Sequence, residues 1–306
     1  MPNPTRVLVT GLLGFTGRYL HTELEAHGLE VWGLGAQPAP GQLRYVQADL
    51  CDSASVQSAV AQVQPHAVVH LAAIAFVGHG HGGEDADAFY RTNLIGTRHL
   101  LAALAKLPQP PRSVLLASSA NIYGNATAGQ LDEATPPQPA NDYAVSKLAM
   151  EHMARLWQHA LPITIARPFN YTGVGQSDHF LLPKIVSHYR RRASTLELGN
   201  LDVWRDFSDV RAVAQAYRRL LQTPAAAGQT VNICSGQTHS LRGVLALAAQ
   251  ISGHQLQVQV NPAFVRANEV QTLSGNPARL RALIGPDWHS PPLQDTLRWM
   301  LEKPAP

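Results

Sequence analysis

The chain has 306 residues, of which 45% are hydrophobic and 15% charged, and its formal net charge is +3 at pH 7. A chain of this length can bury a sizeable core and is long for one compact unit, so we expect one large domain with a smaller appendage. The basic residues are scattered, which argues against a nucleic-acid partner. No apolar run is long enough to span a bilayer, and the first residues do not resemble a signal peptide, so we expect a soluble, cytoplasmic protein.

Neither the cysteines nor the histidines predict a metal site. Cys51 and Cys234 are far apart and lack the spacing of metal ligands, so we expect no disulfide and no zinc, and two small buried side chains. His79 and His81 lie in a glycine-rich segment, which suits a mobile loop near the substrate better than rigid metal ligation.

The N-terminal segment joins an apolar strand to a glycine-rich turn. Residues 6–10 have the length of a strand, and Gly11, Gly14 and Gly17 follow where a helical pattern begins that reaches about residue 26. Glycines permit positive φ and a close approach of the backbone to a pyrophosphate, whose charge a helix N-terminus favours. The segment therefore predicts dinucleotide binding, although a tight strand-to-helix corner without a ligand remains the alternative for this motif alone.

Strand and helix patterns alternate along the rest of the first half. Strands are predicted at 29–33, 43–47, 67–70 and 114–117, with helices at 54–63 and 88–106. Beyond them we predict helices at 142–159, 180–192 and 241–251, strands at 163–167 and 230–234, and a loop at 170–178. The alternation indicates an α/β fold with a doubly wound parallel sheet, whose ligands lie at the carboxyl ends of the strands.

A possible proton-transfer group follows the strand at 114–117. Tyr143 and Lys147 are four residues apart, so on a helix they share one face and the ammonium can stabilise the charged phenol. Ser119 follows the strand and can hold a substrate oxygen at the same point, although its alternative role is to cap the end of the strand. These residues can transfer a proton but cannot supply electrons, and the glycine-rich turn would bind the group that does.

Together and in this order, these motifs resemble the extended short-chain dehydrogenase/reductase family, the NAD(P)-dependent epimerases and dehydratases of nucleotide-sugar metabolism. The resemblance spans nearly the whole chain and includes the motifs at 48–50, 70–73, 93–97, 167–170 and 205–207. It implies a Rossmann-type dinucleotide-binding domain at 1–168 with returning segments near 205–236. It further implies a substrate-binding subdomain made of 169–204 and 237–306.

The resemblance also implies which residues bind the cofactor, NADP or NAD. These are Gly11, Gly14, Phe15, Thr16, Gly17, Arg18, Asp49, Leu50, Leu71, Ala72, Ala73, Asn93, Tyr143, Lys147 and Arg167. Residues 31–36, at the end of the second strand, offer no carboxylate to a ribose 2′-hydroxyl. A 2′-phosphate is thus permitted, with Arg18 the nearest candidate to pair with it, and NADPH is slightly favoured over NADH.

In the chemistry that the resemblance implies, Tyr143 donates a proton to a ketone oxygen that becomes negative, and Ser119 donates a hydrogen bond to it. Lys147 would lower the pKa of the phenol and hold the nicotinamide ribose. Related dehydratases carry a glutamate where this chain has Asn121. A carboxamide cannot shuttle the required proton, so dehydration is disfavoured.

The residues implied to bind a nucleotide-diphosphate sugar are Asn121, Asn170, Gln176, Lys184, Arg205, Arg266 and Glu269. Arg205 would pair with a phosphate, with a salt bridge to Asp206 or Asp209 as the structural alternative. Arg266 and Glu269 resemble the branch that acts on GDP-linked sugars, although Ala267 stands where that branch has proline.

The resemblance implies reduction of a GDP-4-keto-6-deoxyhexose at C4, with GDP-4-keto-6-deoxy-D-mannose converted to GDP-D-rhamnose as the leading case. A nucleotide-sugar 4-epimerase is the alternative within the family. A cofactor-sensing regulator without catalysis is the third hypothesis, and the intact trio of Ser119, Tyr143 and Lys147 argues against it. The resemblance further implies a homodimer in which helices 88–106 and 142–159 form a four-helix bundle.

Overall fold

The computed structural model describes residues 5–74, 86–124, 129–265 and 271–303. Its strands are β1 Arg6–Thr10, β2 Glu30–Gly35, β3 Tyr45–Gln47, β4 Ala67–His70, β5 Val114–Ala117, β6 Ile163–Pro168, β7 Asn170–Thr172, β8 Thr195–Leu198, β9 Trp204–Asp209, β10 Thr230–Ile233, β11 Thr238–Ser240, β12 Gln257–Val260 and β13 Thr272–Leu273. Its α-helices are α1 Phe15–Ala26, α2 Ser53–Val63, α3 Ala86–Phe89, α4 Thr97–Ala105, α5 Asp142–Arg155, α6 Leu181–Arg190, α7 Val210–Leu221, α8 Leu241–Ser252, α9 Ala278–Ile284 and α10 Leu293–Glu302.

Seven strands form one parallel sheet in the order β10-β6-β5-β4-β1-β2-β3. The order reverses at β1, because β2 pairs with one edge of this strand and β4 with the other. This is the doubly wound arrangement, and the predicted fold class is confirmed. A crevice is expected beyond the carboxyl ends of β1 and β4, where the chain leaves the sheet in two directions.

The alternation of side chains along each strand explains why both faces of this sheet are covered. Val7 and Val9 of β1 belong to the apolar core on one face, with helices α1 and α7, whereas Leu8 belongs to the core on the other face, with α2 and α4. Val69 and Val68 of β4 divide between the two cores in the same way. Because successive residues of a strand point to opposite faces, continuous apolar runs are buried on both.

A smaller part of the molecule packs over the carboxyl edge of this sheet. It contains a sheet in the order β11-β9-β13, with β7 beside β9, and the separate pair β8-β12. Helices α6, α8 and α10 enclose a third core, in which Ile185, Val244 and Leu297 are fully buried. No helix in the described ranges combines the length and the apolar character needed to cross a membrane.

Three local predictions were wrong. Residues 88–106 do not form one regular helix, because a π-helix from Tyr90 to Gly96 separates α3 from α4. In the π-helix the side chain of Asn93 binds the backbone of Ile74, a tertiary contact that local periodicity does not reveal. The predicted loop at 170–178 begins with β7, which pairs with a distant strand. Cys51 is exposed, whereas Cys234 is buried as expected.

Candidate active site

A cleft of about 770 Å³ lies between the carboxyl edge of the large sheet and the smaller part. This volume is in the range of sites that bind small molecules and cofactors. The predicted site residues that line it are Gly11, Gly14, Phe15, Thr16, Gly17, Leu71, Ala73, Ser119, Asn121, Tyr143, Lys147, Asn170, Gln176, Lys184 and Arg205. Residues from the two ends of the sequence thus share one cavity.

The glycine-rich turn is packed too closely for larger residues. Gly11 has a φ of +72°, and a Cβ on Gly17 would lie 2.3 Å from the carbonyl oxygen of Gly11. Gly14 precedes α1 and has no side chain with which to cap it, and no acidic residue occupies the first turn. The N-terminus of α1 therefore presents its backbone N–H groups and positive dipole to the cleft, as a diphosphate requires.

Tyr143 lies in the first turn of α5, which begins where the side chain of Asn141 accepts a hydrogen bond from the N–H of Ala144 (2.9 Å). Ser119 forms a hydrogen bond with the phenol. Its hydroxyl also accepts from the N–H of Asn121 at 3.1 Å, so the capping role and the position beside Tyr143 occur together. Burial raises the pKa of Tyr143 to about 12 against the opposing hydrogen bond from Ser119.

Lys147 is 4% exposed, and its ammonium donates to the carbonyl oxygen of Ala117 at the end of β5 (2.9 Å). Burial lowers the pKa of Lys147 to about 8, although the charge of Glu151 opposes this change. The expected lowering of the phenol pKa by this lysine is not found, because burial dominates at Tyr143. The phenol is therefore a protonated group at neutral pH, and the lysine is predominantly charged.

A buried ion pair supports this helix and was missed by the sequence analysis. Glu151 lies one turn beyond Lys147 and is fully buried. It accepts hydrogen bonds from Ser118 (2.6 Å) and from two nitrogens of Arg167 (2.9 and 2.7 Å). The consecutive residues Ala117, Ser118 and Ser119, at and just beyond the end of β5, thus contact Lys147, Glu151 and Tyr143 on one face of the helix. The four-residue spacing was the available signal, since it continues from Tyr143 through Lys147 to Glu151.

Arg167 takes part in a buried network of hydrogen bonds. Besides Glu151, its guanidinium binds the phenol oxygen of Tyr123 (2.9 Å) and the carbonyl of Glu133 (3.5 Å), and Arg167 is buried. Burial works against its charge, but the hydrogen bond and charge of Glu151 outweigh that effect and raise the pKa of Arg167. These contacts place Arg167 in a buried network beneath α5, and its contact with a cofactor stays a prediction.

Asn93 and Arg18 do not line the cleft as far as the described residues bound it. The side-chain amide of Asn93 accepts from the N–H of Ile74 (2.9 Å) and donates to the hydroxyl of Ser146 (3.1 Å). It thereby fastens the π-helix to α5. Arg18 donates to the carbonyl oxygen of Gly175 (3.2 Å), so its guanidinium turns toward the segment after β7. The predicted pairing of Arg18 with a 2′-phosphate stays a prediction.

Three further predicted cofactor residues also lie outside the wall of the cleft. Asp49 is exposed and accepts from the N–H of Cys51 (2.9 Å), whereas Leu50 is buried. The N–H of Ala72 donates to the hydroxyl of Thr10 (3.1 Å), which shapes the end of β4. Their contacts with a cofactor stay predictions.

The predicted substrate residues come from several elements of the smaller part. Asn170 donates to the carbonyl oxygen of Asp206 (3.4 Å), and Gln176 accepts from Thr172 (2.8 Å). Lys184 lies 4.7 Å above the ring of Phe264 and donates to the carbonyl oxygen of Glu197 (2.8 Å). Burial lowers the pKa of Lys184, and the charge of Glu197 opposes it.

Arg205 donates to the carbonyl oxygens of Trp204 (2.9 Å) and Gln271 (3.0 Å), which directs it along the wall of the cleft. The carboxylates of Asp206 and Asp209, the alternative partners considered for Arg205, bind other groups. Asp206 accepts from Ser235 and Gly236, and Asp209 pairs with Arg211 at 2.7 Å. Arg266, Glu269 and the histidines at 79 and 81 lie outside the described residues.

Comparisons with known proteins agree with this geometry. A model of the NAD dependent epimerase/dehydratase family matches residues 7–234. The chain is 36% identical over 284 residues to a GDP-6-deoxy-D-talose 4-dehydrogenase from Aggregatibacter actinomycetemcomitans, covering 92% of each protein. It is also 36% identical over 289 residues to a GDP-6-deoxy-D-mannose reductase from Pseudomonas aeruginosa, covering 92% of this chain and 91% of the reductase.

Solved structures show the same architecture over almost the whole chain. A candidate epimerase from Burkholderia cenocepacia superposes with a TM-score of 0.90 at 52% identity, covering 98% of both chains. The protein RMD from Pseudomonas aeruginosa, solved in complex with NADPH, superposes with a TM-score of 0.83 at 33% identity. That comparison covers 97% of this chain and 96% of RMD.

Proposed function

This chain belongs to the NAD dependent epimerase/dehydratase family, and on that premise we propose that it reduces a nucleotide-linked 4-keto-6-deoxyhexose with NADPH or NADH. The proposal is supported above all by one observation. Ser119, Tyr143 and Lys147 share a single cleft with the glycine-rich turn. A proton donor and a diphosphate site in one cavity suit a reaction that joins a proton and a hydride to a carbonyl.

Each group of the trio has a defined task in such a reduction. A reduced nicotinamide supplies the hydride when it is bound. Tyr143 donates its proton to the oxygen on which negative charge develops, and its raised pKa keeps that proton available at neutral pH. Ser119 donates a hydrogen bond to the same oxygen, and Lys147 would hold the nicotinamide ribose.

The substrate class is inferred from the relatives and from one residue of the cleft. A GDP-6-deoxy-D-mannose reductase and a GDP-6-deoxy-D-talose 4-dehydrogenase are each 36% identical to the chain, and both names describe chemistry on GDP-6-deoxyhexoses. Asn121 lines the cleft, and a carboxamide cannot serve as the acid of a dehydratase. The leading reaction is therefore GDP-4-keto-6-deoxy-D-mannose to GDP-D-rhamnose.

The test is direct. Purified protein is mixed with GDP-4-keto-6-deoxy-D-mannose and either NADPH or NADH, and the ultraviolet band of the reduced nicotinamide is followed. We expect the band to decline with wild type and the rate to fall at least about 100-fold with Tyr143→Phe, because the proton donor is lost. Tyr189→Phe is the matched control, since that phenol binds the carbonyl of Leu245 in the smaller part. A stable band with both cofactors would refute the proposal.

A 4-epimerase is the second candidate, and the 52% identity with a candidate epimerase is the observation that favours it. An epimerase must keep an oxidised cofactor between turnovers, whereas a reductase exchanges its cofactor in each cycle. Protein denatured after extensive dialysis would release stoichiometric NAD if it is an epimerase. Release of little cofactor, together with consumption of NADPH or NADH in the assay, would favour the reductase.

The proposal includes a cytoplasmic homodimer formed through a four-helix bundle. The dimer is supported by apolar side chains that are exposed on the two helical segments, 88–106 and 142–159. Ile95 is 42% exposed, Val145 38% and Leu156 73%. Burying such side chains against a second copy would remove apolar surface from water. Light scattering at micromolar concentration should give about twice the mass of the 33.1 kDa chain, and a monomer alone would contradict the dimer.

A further inference from the structure

Two hydroxyl groups meet where the glycine-rich turn faces the smaller part. Oγ1 of Thr16, in the first turn of α1, lies 2.8 Å from Oη of Tyr171, in the middle of β7. Both residues line the cleft. The ring of Phe15 stacks parallel to that of Tyr171, with centroids 6.2 Å apart and an interplanar angle of 10°. The ring contact fixes the phenol against the start of α1.

The protons of these two hydroxyl groups determine what the pair can donate to a ligand. Burial raises the pKa of Tyr171 against the opposing effect of its hydrogen bond with Thr16, so the phenol keeps its proton at neutral pH and can be the donor of the pair. A phenol that donates to a threonine oxygen leaves the threonine proton free for a third group. Thr16 lies among the first residues of α1, where the helix N-terminus attracts an anion. A phosphate oxygen is the acceptor that suits this position.

We propose that Tyr171 and Thr16 form a hydroxyl relay for the diphosphate of the dinucleotide cofactor, in which Tyr171 donates to Thr16 and Thr16 donates to a phosphate oxygen. The relay adds a side-chain donor from β7 to a site otherwise built from backbone N–H groups. Tyr171 is thereby a positioning residue that acts through Thr16. This inference rests on the proposed function, because it requires a dinucleotide in the cleft.

The nucleotide sugar would bring a second diphosphate, and the geometry favours the cofactor. Thr16 belongs to α1, whose N-terminus carries the glycine-rich turn. The cationic candidates for the sugar nucleotide, Lys184 and Arg205, belong instead to α6 and β9 of the smaller part. A relay that ends on Thr16 should therefore affect the cofactor and leave binding of free GDP unchanged.

A purely mechanical role must be separated from the relay, and the chain offers a matched control. The phenol of Tyr19, also on α1, donates to the carbonyl oxygen of Val174 at 2.7 Å. It therefore fastens α1 to the segment directly after β7, as the pair does. Tyr19 is not among the described residues that line the cleft. Tyr19→Phe removes a fastening bond of the same kind without removing a group that can reach the cofactor.

The experiment titrates NADPH and NADH into wild type, Tyr171→Phe, Thr16→Val, the double variant and Tyr19→Phe by isothermal calorimetry. We expect Thr16→Val to raise the Kd of the preferred cofactor at least about tenfold, the effect of one hydrogen bond to a charged group, and Tyr171→Phe to raise it about fivefold, the effect of one hydrogen bond between neutral groups. The double variant should bind no more weakly than Thr16→Val, because the two groups act as one unit. Tyr19→Phe should stay within about twofold of wild type, and the Kd of GDP should not change.

Three results would overturn the relay. These are wild-type cofactor affinity in Tyr171→Phe, an equal loss in Tyr19→Phe, and a weakening of GDP binding in place of cofactor binding. The proposed function fails separately, since wild-type protein would then bind neither NADPH nor NADH. A circular dichroism spectrum and melting temperature for each variant confirm that the compared proteins are folded.

Discussion

Replacing Lys147 by methionine is expected to stabilise the protein while it removes the activity. Lys147 is 4% exposed, and burial lowers its pKa from 10.5 to about 8 despite the neighbouring charge of Glu151. At 1.36 kcal/mol for each pKa unit, this fall corresponds to about 3 kcal/mol by which the folded state disfavours the charged lysine. Methionine fills similar space without the charge.

The hydrogen bond to Ala117 reduces the expected gain. Its carbonyl oxygen accepts from the ammonium at 2.9 Å and would lose that partner. An unpaired buried acceptor costs about 1 kcal/mol. The net increase in the free energy of unfolding at pH 7 is therefore about 2 kcal/mol, which raises the melting temperature by a few degrees in a chain of this size.

The pH dependence tests the cause of this gain. Below pH 8, folded and unfolded wild type both carry the lysine proton, so the full penalty is present. Between about pH 8 and 10.5 the unfolded state holds more protons than the folded state, and the contribution of Lys147 to the free energy of unfolding rises with pH. The advantage of Lys147→Met should thus be constant below pH 8 and shrink above it.

The assay is urea denaturation of wild type and Lys147→Met at several pH values between about 6.5 and 10.5, a range that includes the folded and unfolded pKa values of the lysine. Lys106→Met is the control, since Lys106 is exposed and should change stability by less than about 0.5 kcal/mol. The reasoning is refuted if Lys147→Met is less stable than wild type at pH 7, or if its advantage is the same at every pH. Wild-type turnover in Lys147→Met would refute the role of the ammonium.

Two further substitutions test the residues that support the site. Glu151→Gln leaves the buried guanidinium of Arg167 without its counter-charge, which should lower the free energy of unfolding by about 3 to 5 kcal/mol in urea denaturation. The control is Glu25→Gln, at an exposed pair with His21. A loss under about 1 kcal/mol in Glu151→Gln would contradict a tight pair. Gly17→Ala places a Cβ 2.3 Å from a backbone oxygen of the turn, so NADPH affinity should fall at least about tenfold, or about 1.4 kcal/mol, in a calorimetric titration; unchanged affinity would show that the turn does not shape the site.

Short-range patterns explain most of what could be predicted. Short apolar runs that alternate with helical patterns were enough to predict the doubly wound sheet, because a parallel sheet buried on both faces needs continuous apolar strands joined by helices. The spacing of Tyr143 and Lys147 was enough to put them on one face of a helix. Likewise, the glycines of the first turn indicated a close backbone approach that the Gly17 contact shows directly.

Contacts between distant parts of the chain explain what could not be predicted. Arg167 and Glu151 meet because β6 lies beside α5, and this pairing makes Arg167 part of a buried network that the sequence analysis did not predict. Asn170 begins a strand only because β9 is available to pair with it. Nothing in a three-residue segment specifies such a partner, since strand pairing depends on neighbours far along the chain.

The amino-acid sequence by itself determined the fold class and the positions of the trio, which depend on local patterns and on the glycine-rich turn. It also determined the family, through the resemblance of motifs along nearly the whole chain. Only the tertiary structure decided which charges are compensated and which hydroxyls meet, as in the pair Thr16 and Tyr171, 155 residues apart. The physical reason is that burial and hydrogen bonding depend on packing between elements, and the same packing sets the pKa values of Tyr143 and Lys147.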